Sequence, residues 1–303
     1  MILTGIADEA GDSINSQIAA TKALGWEHIE ARFLSVGNFE KGSIHEIPEE
    51  AFNLAVDALN EAEIKVCGIG STIGNWAHSI TDPFDITEGE VERCITRMKV
   101  LGSSIVRIMS YSILEDENEN DHENQFFEER IKRLKNIITR FEDNGITPVH
   151  ENCMNYGGMS TSHALKLQNE IPQMKWVFDT GNPVFNADRS ATRPYPRQDA
   201  WSFYQALKEN IVHVHIKDGI WDNLKNECTF TMPGEGDGKV KEILSDLKKT
   251  NYEGFISIEP HIASVFHEED NEDIDQDTKE KNQLDTYIEY GKKLEEIISN
   301  IAI

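Results

Sequence analysis

Four side chains in the second half of the chain stand where a short apolar run gives way to a loop. Glu151 follows Ile146–His150, Asp179 closes Trp176–Asp179, His215 lies near the end of Ile211–Ile216, and Glu259 follows Gly254–Ile258. Two glutamates, an aspartate and a histidine form a donor set that suits one divalent ion, Mn²⁺, Mg²⁺, Co²⁺, Fe²⁺ or Zn²⁺. No CxxC pair accompanies them, which argues against a purely structural zinc site. An ion held in this way polarises a carbonyl or hydroxyl and lowers the cost of removing the adjacent C–H proton, while a carboxylate beside it acts as base. Glu151 and Glu259 are the two carboxylates that could flank a substrate as an acid/base pair. Any one of these acids alone is more often a strand-end cap or an ion-pair partner. Their joint occurrence on one predicted rim is what points to chemistry. His213 shares a strand face with His215 by the period of two and is expected lower in the barrel, so His215 takes the ligand role.

Placing four groups on one rim requires a repeating scaffold. The pattern predicts strands at Ile2–Ala7, His28–Phe33, Ile64–Ile69, Ser104–Met109, Ile146–His150, Trp176–Asp179, Ile211–Ile216 and Gly254–Ile258. Between and after them it predicts helices at Ser13–Leu24, Pro48–Glu61, Thr87–Leu101, a long helix to about Phe141, Ser160–Gln168, Gln198–Leu207, Lys239–Lys249 and Asp285–Ser299. Strands alternating with helices imply a parallel sheet covered on the outside. Eight such units predict a single α/β (β/α)8 TIM barrel over residues 1–303, with the four candidate ligands converging at the carboxyl ends of the last four strands. The extra length falls in two places. Residues 219–238 are glycine-rich and aromatic and read as a functional loop, whereas 267–281 are nearly all polar and read as solvated. The acidic stretch Glu115–Glu123 reads as a solvated surface.

The 54 acidic against 29 basic residues give a formal net charge of -25. Such a surface repels polyanions, so neither nucleic acid nor an anionic membrane is an expected partner. Four scattered cysteines, Cys67, Cys94, Cys153 and Cys228, suggest reduced thiols and a cytoplasmic protein. The N-terminus has no basic, apolar leader pattern, and no uncharged stretch reaches the length of a membrane span. The sequence is compatible with a homo-oligomer.

The motifs IADEAG, VHEN, FDTGN, VHIKD, PGEGDG and NYEGFISIEPH resemble those of the sugar phosphate isomerase/epimerase group of xylose isomerase-like TIM barrels, across nearly the whole chain. The resemblance implies one divalent metal bound by Glu151, Asp179, His215 and Glu259. It also implies an enzyme of carbohydrate metabolism acting on a small sugar or sugar phosphate. In members resembling ketose 3-epimerases, the two metal-bound glutamates remove and return a proton on opposite faces of the sugar through an enediolate. Other members isomerise hydroxypyruvate or dehydrate inosose, so fold alone leaves the reaction open. Many relatives carry a histidine three residues after the aspartate, where this chain has Asn182, an amide suited to a substrate hydroxyl or a bound water. Related apurinic endonucleases assemble three zinc ions with extra histidines. Here strands three and four run into Ser71-Thr72-Ile73 and Met109-Ser110-Tyr111, which counts against DNA repair.

Further candidate substrate contacts are Lys217, which follows His215 and could equally pair with a neighbouring acid, and Trp76 and His78 in the loop after strand three. Arg189 and Arg193 could receive a phosphate, although no glycine-rich cradle accompanies them. Arg107 and Glu30 read as an inward structural pair. The expected activity is a metal-dependent sugar isomerase or epimerase. The alternatives are a metal-dependent dehydratase or lyase acting on a keto-inositol, and a non-catalytic sugar-binding barrel.

Overall fold

The computed structural model describes residues 1–117, 120–122, 124–263 and 276–301. Among these, eight short strands pair in parallel: β1 (Ile2–Gly5), β2 (His28–Ala31), β3 (Lys65–Gly70), β4 (Ile105–Ile108), β5 (Thr147–Glu151), β6 (Lys175–Asp179), β7 (Ile211–Ile216) and β8 (Phe255–Ile258). Their order is β1-β8-β7-β6-β5-β4-β3-β2. The remaining seam, between β1 and β2, is joined by a single Ile6–Glu30 bridge and by Thr4 Oγ1 donating to the His28 carbonyl at 2.7 Å. This is the (β/α)8 barrel expected from the sequence.

Besides a short helix at Asn182–Phe185, the helices among the described residues are α1 (Ile14–Ala23), α2 (Glu49–Ala62), α3 (Phe84–Leu101), α4 (Phe127–Glu142), α5 (Thr161–Glu170), α6 (Ala200–Leu207), α7 (Val240–Lys249) and α8 (Gln276–Asn300). Buried strand residues such as Val106, Trp176, Val214 and Ile256 meet helix residues such as Leu59, Met98, Leu134 and Leu247. Each large apolar side chain so buried contributes about 1.5–3 kcal/mol. Ser13, Ser160 and Asp199 cap α1, α5 and α6 by accepting backbone amide hydrogens. Among the described residues, no helix is long and apolar enough to cross a membrane. The four cysteines are free.

Several boundaries differ from expectation. Pro48 is the residue before α2, with extended ψ 150, and not part of its first turn. Helix α3 begins three residues early at Phe84, behind Pro83. Helix α8 begins nine residues early, at Gln276, so the end of the expected solvated segment is helical. The rest of that segment, up to residue 275, lies outside the described residues. Two antiparallel hairpins decorate the barrel: Phe33–Val36 with Phe39–Ser43, which the sequence reading did not predict, and Gly219–Asp222 with Glu227–Phe230 inside the predicted functional loop. The acidic stretch after β4 is more than solvated surface, because Glu115 and Asp121 both hold Arg189. Residues 118, 119 and 123 of that stretch lie outside the described residues.

Candidate metal centre and active site

The strand register builds the site. Asp179 on β6 sits opposite His215 on β7, which sits opposite Ser257 on β8, with Glu259 just beyond it. Glu151 ends β5. One ligand atom each from Glu151, Asp179, His215 and Glu259 lies within 4.8 Å of the others, and all four residues are buried. Asn152 fastens β5 to β6: its side-chain amide donates to the Asp179 carbonyl at 2.9 Å, and its Oδ1 accepts the Asp179 amide at 2.8 Å.

His215 is oriented by its Nε2, which donates to Glu30 with both carboxylate oxygens at 3.1 Å. Its Nδ1 therefore faces the carboxylates, 3.4 Å from Glu151 Oε1 and 3.8 Å from Glu259 Oε2. Holding the far nitrogen of a ligand histidine on a carboxylate fixes both tautomer and ring plane. His213 lies lower, as its period predicts, with Nε2 2.7 Å from Glu30. Ser257 donates to the same carboxylate at 2.6 Å. The expected Glu30–Arg107 pair is thus corrected. Glu30 faces the two histidines of β7, while Arg107 donates to the Ser71 carbonyl and lies 3.2 Å from Glu151 Oε2.

The other end of the site is held by Arg32, which sequence reasoning missed. Its Nε reaches both oxygens of Asp8 at 3.1 and 3.0 Å, and its two terminal nitrogens reach Glu9 at 2.8 Å and Glu259 at 2.9 Å. This fork joins the loops after β1, β2 and β8 beside the weakly paired seam. His261 adds a second contact to Glu9, at 2.9 Å, and its Nε2 lies 3.6 Å from Glu259. The Glu9, Glu259 and His261 cluster thus already contains a cation, the Arg32 guanidinium.

Lys217 lies within the ligand group: its Nζ is 3.0 Å from Asp179 Oδ2 and 3.1 Å from Glu259 Oε2. It pairs with these acids and not with Asp218, whose carboxylate accepts the amides of Gly219, Gly234, Gly236 and Gly238. Asn182 is buried in the site, yet its side chain donates to Glu151 Oε1 at 3.3 Å and its backbone amide to Asp179 Oδ1 at 2.6 Å. His78 turns toward Glu90, with Nε2 3.6 Å from Oε1, and Trp76 is 47% exposed on the same loop.

The charges are strongly coupled by burial. Burial pushes the Asp179 carboxyl up and, although Lys217 opposes this, Glu259 and Glu151 raise it further, to about 7. Burial also raises Glu151, but Arg107 and His215 more than offset it and hold the group low. Glu259 is held well below the usual range against the same burial effect by Lys217, His261, Arg32 and His215. Burial disfavours the His215 cation, but Glu30 and Glu151 prevail and raise it to about 10.

Whether these residues fit a divalent ion can be tested on their unsatisfied atoms. Glu151 Oε2, Asp179 Oδ2 and His215 Nδ1 are buried and make no hydrogen bond, though each has a charged neighbour within ion-pair distance. Three such atoms from adjacent strands are uncommon in a folded interior, where polar atoms are normally partnered. Together with Glu259 they make a three-carboxylate, one-imidazole set that fits a divalent ion.

Comparisons with known proteins agree with the barrel fold. An inosose dehydratase from Clostridium beijerinckii is 25% identical over 213 residues, 61% of this chain and 68% of that protein. A xylose isomerase-like TIM barrel protein from Mycobacterium smegmatis, solved in complex with magnesium, superposes with a TM-score of 0.68 at 15% identity, covering 100% of this chain and 97% of that one. The D-allulose 3-epimerase of Methylomonas sp., in complex with D-allulose, superposes with a TM-score of 0.61 at 15% identity over 100% and 97% of the two chains. The family profile described as xylose isomerase-like TIM barrel matches residues 18–282, and the chain belongs to that family.

Proposed function

We propose that the chain is a divalent-metal-dependent isomerase or epimerase that moves a proton between carbons of a small polyhydroxylated carbonyl compound. The observation that carries this reading is the pair Glu151 and Glu259, whose carboxylates both approach His215 Nδ1, at 3.4 and 3.8 Å. Glu151, Asp179, His215 and Glu259 would hold the ion. A bound divalent cation would supply polarisation of the substrate carbonyl, making the neighbouring C–H proton removable at neutral pH.

The chain's own residues do the rest. Glu151 and Glu259 are both held low, and so both are available as carboxylates to accept a proton; the one that accepts it can return it to the neighbouring carbon, and its partner can deliver one only after taking up a proton from solvent. Arg107 and Asn182 fix Glu151, and Arg32 and Lys217 fix Glu259. Fixed carboxylates need little reorganisation as the proton moves.

A second reading, a metal-dependent dehydratase of a keto-inositol or related sugar, is favoured by the similarity to the C. beijerinckii inosose dehydratase. It begins with the same proton removal and differs in the loss of water. The deciding experiment incubates the Mn²⁺-loaded protein with ketoses and keto-inositols in deuterated water. Deuterium entering recovered sugar without loss of water supports isomerase or epimerase chemistry, and an unsaturated, dehydrated product supports the second reading. Glu259→Gln that keeps the fold but exchanges as fast as the parent would overturn the acid/base assignment.

A further inference from the structure

We propose that this site takes a substrate with no phosphate or other anionic group, and that Phe185 and Phe230 receive the apolar C–H face of that uncharged polyhydroxylated carbonyl compound. The proposal rests on the function proposed above and deepens it.

The first observation is that the devices a protein uses to hold phosphate are here engaged by the chain's own carboxylates, carbonyls and aromatic rings. Arg32 is matched by Asp8, Glu9 and Glu259, and Lys217 by Asp179 and Glu259. Arg107 lies against Glu151 and the Ser71 carbonyl. Farther out, Arg189 is clasped by Glu115 and Asp121, and Arg193 lies over the Tyr195 ring. Arg197 donates to the Phe185 carbonyl and stacks 3.4 Å above the Trp221 ring.

The backbone is filled in the same way. A glycine-rich loop offers converging amides to an anion. In PGEGDG the amides of Gly234, Gly236 and Gly238 converge on Asp218, at 2.8, 3.1 and 2.8 Å. The amides of Gly181 and Asn182, which open the short helix Asn182–Phe185, already serve Asp179 at 2.8 and 2.6 Å. Within the site the carboxylates of Asp8, Glu9, Glu30, Glu151, Asp179 and Glu259 outnumber the cations Arg32, Arg107 and Lys217, and all are buried. A divalent ion offsets two charges of that excess of three. A phosphate dianion would restore it in a medium where unmatched charge is costly.

The second observation is a wall of rings beside the ligand group. The Phe185 ring centroid lies 5.6 Å from Lys217 Nζ, the ammonium that touches Asp179 and Glu259. Phe230, from the hairpin after β7, meets Phe185 edge to face at 5.3 Å and His261 at 5.1 Å. All three residues are half-buried. Electron-rich ring faces attract the weakly positive C–H groups that a polyol presents on its less hydroxylated side.

The test is calorimetric binding to the Mn²⁺-loaded full chain of D-fructose, D-allulose and 2-keto-myo-inositol, each against a monophosphate of the same compound. The expected result is binding of at least one free compound, about tenfold or more tighter than its phosphate, given the surplus of buried carboxylates. Phe230→Ala is expected to weaken that compound about fivefold or more while Mn²⁺ affinity stays within about twofold, and Phe230→Tyr to restore it. A phosphate bound as tightly as its free partner, an unchanged affinity in Phe230→Ala, or no binding by any free compound would overturn the proposal. The readout is affinity and not turnover, so it stands or fails separately from the proton-transfer roles of Glu151 and Glu259.

Discussion

Glu30 and His215 are joined across the barrel interior, both oxygens of the carboxylate at 3.1 Å from Nε2, and this contact decides that Nδ1 faces Glu151, Asp179 and Glu259. Glu30→Gln removes the charge that most strongly favours the His215 cation and leaves an amide that can present the wrong group to Nε2. The expected outcome is a folded protein whose affinity for Mn²⁺ falls about 10- to 100-fold, as when the carboxylate behind a ligand histidine is removed. Titration calorimetry on the two proteins checks it. Equal affinities would mean that the contact is structural only.

Binding of the ion is expected to release protons. In the metal-free protein His215 titrates at about 10 and Asp179 at about 7. At pH 7 ligation therefore displaces a proton from His215 and part of one from Asp179. Calorimetry in two buffers of different ionisation heat measures this number, and a buffer-independent heat would contradict it. The stability of the metal-free protein follows the same shifts. Both groups are raised, so their contribution is complete below their unfolded values and is lost as pH rises, through about 7 for Asp179 and about 10 for His215. Glu151 and Glu259 are lowered, and their contribution is lost in acid. The melting temperature of the metal-free protein is expected to pass its maximum in mildly acidic solution and fall steadily toward pH 10.

The four candidate ligands were legible because each sits at the end of an apolar run, and a strand end in a barrel has a fixed address. His213 and His215 share one strand face by the period of two and were separable by their position along the strand. Arg32 was invisible for the opposite reason. It reads as the tail of a strand, and its partners Asp8 and Glu259 are 24 and 227 residues away, with nothing local to announce them. Glu30 was visible as an inward acid but given the wrong partner, since strand patterns say which face a residue takes and not what it meets across the interior. The hairpin Phe33–Val36 with Phe39–Ser43 was missed because Phe39–Ser43, FEKGS, shows no clean alternation. The start of α8 was missed because its first turns, QDTKEKNQ, present no apolar stripe to detect.

Arg32→Met is expected to destabilise the barrel at the seam between β1 and β2. Asp8 loses its guanidinium while remaining buried, and Glu9 and Glu259 each lose one of their cations. Removing one partner from a buried ion network costs about 3–5 kcal/mol. Arg32→Lys is expected to recover only part of this, because an ammonium cannot reproduce a fork that reaches three carboxylates. Denaturant unfolding of the three proteins in the presence of EDTA measures the effect without a contribution from bound metal.

Asp218 and the glycines around it should behave as one unit. The Asp218 carboxylate accepts the amides of Gly219, Gly234, Gly236 and Gly238, and so ties the loop 233–238 to the end of β7, one residue beyond Lys217. Asp218→Ala leaves these amides without their acceptor, at about 1–3 kcal/mol for each that stays buried and finds no water. Gly236→Ala is expected to disturb the same loop from the other side, since a Cβ there would press on Asp218 Oδ1 and on the Gly219 backbone. The expected signature in both variants is faster proteolytic cleavage within residues 231–239 and a lower melting temperature. Their combination should cost less than the sum of the two, because residues sharing one hydrogen-bond network are not independent. Strictly additive effects would show that the loop is held by something other than Asp218.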